Sequence, residues 1–267
     1  MHHVLDPSRD YSLAPALGAL AIMTKAPRAG TVKTRLQPPF TAEEAAQLNV
    51  CFLRDIAATI AGACSGRPPG KETDAHRALL QKRVAMGVGV FTPVGSEGDY
   101  ADVLPPDFVL IPQRGDSFGE RLMNAATDLL RVGFESCCLI NSDSPTVTAD
   151  AFYQAVLELQ GADNRVVLGP SDDGGYYLIG MRKAYGRLFK DIDWSTERVL
   201  TQTLDRAREL SLNVHILPKF YDIDDAKSLR RLCSELLDDG CDNVAPATRQ
   251  FLARLIARDE RERFWRD

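Results

Sequence analysis

The chain has 267 residues, a formal net charge of −5, 45% hydrophobic and 26% charged residues. A chain this long buries well over half of its unfolded surface, so a globular core needs no disulfide framework. The acidic balance excludes a general nucleic-acid binder, which needs a basic face for phosphates.

Short β-type runs alternate with longer helical stretches, which predicts a layered α/β sheet. Residues 1–16 read as a loose leader, and residues 17–267 as one domain. The first strand is expected over Leu17–Met23. Thr41 and Glu44 form a capping box; Leu48, Phe52, Ile56 and Ile60 then recur at helical period. Ser65 to Arg83, rich in Gly, Pro and charge, reads as a connection. Strands follow at Val84–Thr92 and Phe108–Ile111, and Ser117 with Glu120 opens a second capped helix. The apolar run Ser136–Ile140 predicts a buried strand, followed by a helix over Ala149–Leu159. Two strands, Val166–Leu168 and Tyr176–Ile179, flank a glycine-rich loop. A helix over Thr196–Leu210, a strand at Val214–Leu217 and helices near Ala226–Leu237 and Ala247–Arg263 complete the pattern.

Six cysteines without a C-x-x-C pair read as reduced thiols of a cytoplasmic protein, and four scattered histidines form no zinc-ligand pattern. No apolar run reaches the roughly 18 residues a transmembrane helix needs, and no signal peptide is recognisable at the N-terminus.

In open α/β sheets, ligands bind where loops leave the carboxyl ends of the strands. The chemistry-bearing clusters fall at those ends. Lys25 to Leu36, after the first strand, gathers Lys25, Arg28, Lys33 and Arg35 with Gly30, Thr31 and Thr34. Cations, hydroxyls and backbone N–H groups are what a diphosphate requires. The cluster is not a Walker A loop, because Val32 stands where glycine must precede the lysine. Asp143 follows the buried strand in Asn141-Ser142-Asp143-Ser144-Pro145. It is either a ligand for Mg²⁺ or Mn²⁺ or the cap of a turn before proline. In Gly169-Pro170-Ser171-Asp172-Asp173-Gly174-Gly175-Tyr176 the acids suit substrate hydroxyls or a general base, yet the same residues make an ordinary hairpin turn. In Tyr221-Asp222-Ile223-Asp224-Asp225 one acid can cap the next helix while another completes a two-carboxylate metal site with Asp143. Arg114, after a strand, and Trp194, before a helix, are weaker candidates for contacts to base, sugar or acceptor.

Taken in order, K-A-P-x-x-G-x-V-K-T-R-L, Q-R-G-D-x-F-G-E-R, S-D-S-P, G-P-S-D-D-G-G-Y-Y-L-I-G, D-W-S-T and Y-D-I-D-D resemble the DUF2064 family. Its members, also labelled radical-SAM/selenodomain-associated transferase 1, lie in the nucleotide-diphospho-sugar transferase (GT-A) superfamily. The resemblance spans about Leu17 to Leu237. It implies a Rossmann-like three-layer α/β sandwich with a mixed, mostly parallel sheet of about seven strands. It also implies metal ligation by Asp143 and, in a D-x-D-x-x-x-x-L segment, by Asp224. Two departures stand out. The G-G-x-x-x-R loop of nucleotidyltransferases is reduced to Gly30, and Asn141 replaces the first acid of a D-x-D triplet.

These readings together predict a metal-dependent transferase using a nucleotide-diphospho-sugar donor and an acceptor of unknown identity. Lys25, Gly30, Lys33, Thr34, Arg35 and Arg114 are expected to bind the nucleotide phosphates, and Asp143 and Asp224 to hold Mg²⁺ or Mn²⁺. Asp172, Asp173 and Lys33 are the expected catalytic residues, with Gly174, Gly175, Tyr176 and Trp194 around the substrate. The rival enzyme is a nucleotidyltransferase joining an NTP to a phosphorylated substrate. A rival of another class is a nucleotide-binding regulatory protein without turnover.

Overall fold

The strand that organises the molecule is β2 (Gly18–Lys25), whose residues Ala19 to Ile22 are all at most 1% exposed. A strand buried on both faces must be central and covered on each side. In the computed structural model, which describes residues 1–11, 17–65, 84–161, 163–238 and 243–259, β2 pairs in parallel with β3 (Ala85–Thr92) and with β5 (Ser136–Ile140). Beyond β3 lie β4 (Val109–Pro112) and the two-residue β1 (His3–Val4), both parallel. Beyond β5 the direction reverses: β7 (Tyr176–Met181) is antiparallel to both its neighbours, β5 and β6 (Arg165–Pro170). Strand β8 (Asn213–Ile216) pairs in parallel with β6 and completes the order β1-β4-β3-β2-β5-β7-β6-β8.

This is the mixed, mostly parallel α/β sheet expected, with eight strands in place of about seven. The additional strand comes from the segment read as a loose leader. His3 and Val4 pair with Val109 and Leu110, and Leu5 is 3% exposed, so this part of the leader is bound to the sheet edge. A two-residue strand is too short to show period-two alternation, which is why sequence pattern missed it. The expected connection over 65–83 lies, beyond Ser65, outside the described residues.

Side chains alternate across β2, so Leu20 and Ile22 point to one layer and Ala19 and Ala21 to the other. The first layer is α1 (Ala42–Cys64) and α3 (Ala149–Leu159), packed through Ile56, Ile60, Phe152 and Val156. The opposite layer contains α2 (Phe118–Arg131) and α4 (Val199–Glu209), packed through Leu122, Leu129 and Ala207. Helices α5 (Ala226–Leu237) and α6 (Pro246–Asp259) form a third core against α1, with Leu229, Leu232 and Leu252 meeting Leu48 and Phe52. Asp55, buried on α1, accepts hydrogen bonds from Ala247 N (2.9 Å) and Thr248 N (2.8 Å), satisfying donors of the first turn of α6. Both expected capping boxes are present, at Thr41–Glu44 and Ser117–Glu120. All five described cysteines are buried, and burial pushes the Cys137 thiol up to about 12. No described helix is long and apolar enough to cross a membrane.

Candidate active site

Strand order reverses at β2: the chain first builds outward through β3 and β4, then returns to place β5 on the other flank. The loops leaving β2 and β5 therefore converge at a topological switch point, where open α/β sheets bind ligands.

In the loop after β2, Val32 and Leu36 are anchored in apolar surroundings. Between them Lys33 takes a left-handed conformation (φ 49°), which turns its side chain inward. The Lys33 side chain is 5% exposed; Nζ lies 2.7 Å from Asp143 Oδ1 and 3.1 Å from Asp224 Oδ1. It also donates to the Ile223 carbonyl at 2.6 Å and lies 5.5 Å from the centroid of the Phe52 ring. Burial works against the ammonium, but the carboxylates of Asp143 and Asp224 together outweigh it and hold the lysine charged above its ordinary range. A backbone bond from Ile223 N to Asp143 O (2.9 Å) joins the two acid-bearing loops. Asn141, in place of the first acid of a D-x-D triplet, accepts from Asp143 N through Oδ1 and donates to Ser144 Oγ (3.0 Å), shaping the turn that presents Asp143.

The Tyr221–Asp225 segment sorts its acids by position. Tyr221 and Ile223 are buried, while Asp222 and Asp224, two residues apart, line a cleft. Asp225 is the N-cap of α5, accepting from Ser228 N at 2.7 Å. The sequence names Asp222 as one acid of this cluster without giving it a role of its own; the available signal was its i, i+2 relation to Asp224, which shares a face in an extended chain. Its carboxyl is pushed up to about 6 by burial and by the nearby charges of Asp173 and Asp224, against a hydrogen bond from Ser171 Oγ (2.9 Å). Since the folded state then holds the proton more tightly than the unfolded chain, stability falls as pH rises from about 4 to about 6 and stays low above. Asp222→Asn is therefore expected to raise Tm at pH 8 by at least about 2 °C and to flatten this part of the pH profile. Thermal denaturation from pH 4 to 8 checks it; an unchanged or lower Tm at pH 8 refutes the account of a strained carboxylate.

The cleft encloses about 670 Å³ and brings together Arg35, Asp172, Asp173, Gly175, Tyr176, Trp194 and Asp224 from the sequence-derived candidates, with Lys33 and Asp143 adjoining through Asp224. Lys25, the last residue of β2, and Gly30 and Thr34 in the loop after it are exposed and do not line it. Three candidates receive different roles. Asp172 binds Arg231 (2.5 Å) and Lys219 (3.0 Å), and these hydrogen bonds hold its carboxyl below the usual range. It fastens the β6–β7 turn to α5 and is no proton acceptor. Arg114 presents the Nε–Nη2 edge of its guanidinium to the buried Asp128, at 2.9 and 2.5 Å, and so braces α2. Two of its donors thus serve the fold. Gly174 (φ +88°) faces the backbone of Glu197, where a Cβ would come within 2.3 Å of the carbonyl oxygen, so it is a packing residue. Gln113, beside Arg114 in the stretch read as a possible contact to base, sugar or acceptor, donates instead to Thr24 O (2.9 Å) and Val90 O (2.7 Å) and ties the carboxyl ends of β2 and β3 together.

Among the described residues, no group of three or more His, Cys, Asp or Glu converges as a metal cage. Asp143 and Asp224 face one shared cation position, which the Lys33 ammonium fills at 2.7 and 3.1 Å; once the lysine shifts, the pair suits an ion that arrives with its own phosphate oxygens. Mg²⁺ is commonly held this way, by one or two carboxylates plus substrate phosphates.

Residues 76–196 match the model of the family described as "Uncharacterized protein conserved in bacteria (DUF2064)", the family that the motifs resemble. No curated protein matches the chain. Among solved structures, a provisionally assigned nucleotide-diphospho-sugar transferase from Desulfovibrio desulfuricans G20 is 25% identical, with a TM-score of 0.73, covering 90% of this chain and 95% of that one. CMP:2-keto-3-deoxy-manno-octonic acid synthetase complexed with CTP aligns at 9% identity and a TM-score of 0.47, covering 84% of this chain and 99% of the other. The 4-diphosphocytidyl-2C-methyl-D-erythritol synthase of Anaerococcus prevotii DSM 20548 aligns at 9% identity and a TM-score of 0.49, covering 83% and 96% respectively.

Proposed function

We propose that this chain, which has the fold of a nucleotide-diphospho-sugar transferase, is a metal-dependent transferase that moves a sugar from a nucleotide diphosphate to an acceptor. The observation that carries this reading is the convergence of Lys33, Asp143 and Asp224 on one point at the switch of the sheet. Three loops far apart in the chain deliver one cation and two acids to the place where a diphosphate can dock. Asp143 and Asp224 are the residues to hold Mg²⁺ or Mn²⁺, which when bound supplies Lewis-acid stabilisation of the leaving diphosphate. The Lys33 ammonium stands between the two acids, 2.7 and 3.1 Å from them, so it must shift to admit the metal and then adds positive charge beside it, while Arg35, exposed on the same loop, reaches the phosphates from solvent. Asp173, at the cleft surface and free of ion pairs among the described residues, orients the acceptor hydroxyl. The carboxylate of Asp173 is itself held by Gly175 N at 2.9 Å.

The bond broken distinguishes sugar transfer from nucleotidyl transfer. Sugar transfer cleaves the sugar–phosphate bond and releases a nucleoside diphosphate; nucleotidyl transfer cleaves between the α and β phosphates and releases pyrophosphate. Incubation with single sugar nucleotides and single NTPs plus Mn²⁺, followed by chromatography and a coupled pyrophosphate readout, is expected to yield nucleoside diphosphate from a sugar nucleotide by slow transfer to water. Metal-dependent pyrophosphate from an NTP, with every sugar nucleotide untouched, overturns this in favour of nucleotidyl transfer.

A further inference from the structure

We infer that the acceptor enters the cleft carrying an apolar ring and hydroxyl groups but no phosphate. The inference rests on the transferase reading above and concerns what the cleft accepts besides the nucleotide. One wall is apolar: Met23, Leu122, Phe118 and Trp194 line it. Phe118 is 52% exposed although large and aromatic, and its ring meets Trp194 edge-on with centroids 5.0 Å apart. Apolar surface left open inside a concave site is the usual seat of a ring or chain. The same cleft is lined by Asp173 and Asp222, neither with an ion-pair partner among the described residues. Carboxylates accept hydrogen bonds from hydroxyl groups and repel a phosphate dianion.

The distribution of cations points the same way. Recognition of a phosphate takes arginine or lysine donors with no competing acid. Lys219 and Arg231, the cations beside this part of the cleft, are both bound to Asp172. Arg231 is further held over the Tyr221 ring at 3.7 Å. Arg35 and Lys227 also line the cleft, and both are close in the chain to the diphosphate residues: Arg35 is two residues from Lys33, and Lys227 is three residues after Asp224 in the first turn of α5. The cleft cations without an acid partner among the described residues thus neighbour Lys33 and Asp224 in the chain, which leaves the unpaired acids and the aromatics for the second substrate.

The probes are phenyl β-D-glucopyranoside and its 6-phosphate, titrated by calorimetry into the full-length chain at pH 8, beside a separate nucleoside diphosphate titration with Mn²⁺. The neutral glucoside is expected to bind at least about tenfold more tightly than the phosphate. Asp222→Asn and Asp173→Asn should each narrow that gap several-fold, and Trp194→Ala should weaken the neutral probe, with circular dichroism confirming that each variant is folded. Equal or tighter binding of the 6-phosphate, an unchanged gap in both Asn variants, or no binding of either probe at millimolar concentration overturns the inference. Loss of the probe order with nucleotide binding intact condemns this inference alone. Failure to bind any nucleotide, with the probe order preserved, condemns the transferase reading instead.

Discussion

Replacing Lys33 by methionine is expected to lower turnover roughly 10²- to 10³-fold, the usual cost of removing one preorganised charge-stabilising donor, while leaving the protein folded. Methionine keeps the length and apolar stem of the side chain, so contacts with Phe52 and the buried loop are retained. What disappears is the ammonium between Asp143 and Asp224, whose side chains are 31% and 46% exposed. Because both acids reach water, they can be hydrated once the lysine is gone, and Tm should fall by only a few degrees. The same variant supplies a second readout. With no ammonium held between them, the two carboxylates repel one another and should bind Mn²⁺ more tightly in the absence of nucleotide. Calorimetry with Mn²⁺ alone and chromatographic turnover measurements check both consequences. Turnover within about threefold of the parent protein would leave Lys33 a purely structural cation.

Gly174→Ala is expected to destabilise the fold by roughly 2–3 kcal/mol and to lower Tm by about 5–10 °C. Two causes add at this position. Its φ of +88° is one that an L side chain rarely adopts, and the new methyl would stand 2.3 Å from Glu197 O and 2.6 Å from Glu197 Cα. Backbone cannot step aside as a flexible side chain can, and Gly174 O also accepts from Leu200 N at 2.9 Å, which joins the turn to the start of α4. The turn must therefore move, carrying Asp173 with it, so acceptor use should fall along with stability. Gly175→Ala is the control: its Cβ meets nothing closer than Asp173 Oδ1 at 3.2 Å, and its φ is not in the left-handed range. Thermal melts that place the two variants at the same Tm would show that the close approach at Gly174 is relieved without strain.

The contrast between Gly174 and Gly175 marks the boundary of what can be read from sequence. Both were legible as turn residues because glycine's freedom is a property of the residue itself. That one of them packs against Glu197 depends on a neighbour supplied by a different element. Elements governed by short-range chemistry were legible to the residue: β5 over Ser136–Ile140, α3 over Ala149–Leu159, α5 over Ala226–Leu237, and the two capping boxes. Apolar period and caps involve residues within a turn or two of each other, so a linear string contains them. The clusters at strand ends were visible for the same reason, and so was the acidic pair at Asp222 and Asp224.

The roles within those clusters were a different matter. Arg114 and Lys33 are both basic residues in loops after strands, yet one braces Asp128 and the other sits between Asp143 and Asp224. Asp172 and Asp173 are adjacent, yet two cations hold the first while the second faces the cleft. Charge pairing acts across space between loops that only the strand order brings together, and strand order depends on which faces can be buried at once. Hydrophobic pattern states that β2 and β5 are buried, but not that they are neighbours. That adjacency, set by packing helices on both faces of the sheet, is what turns scattered acids and bases into one site.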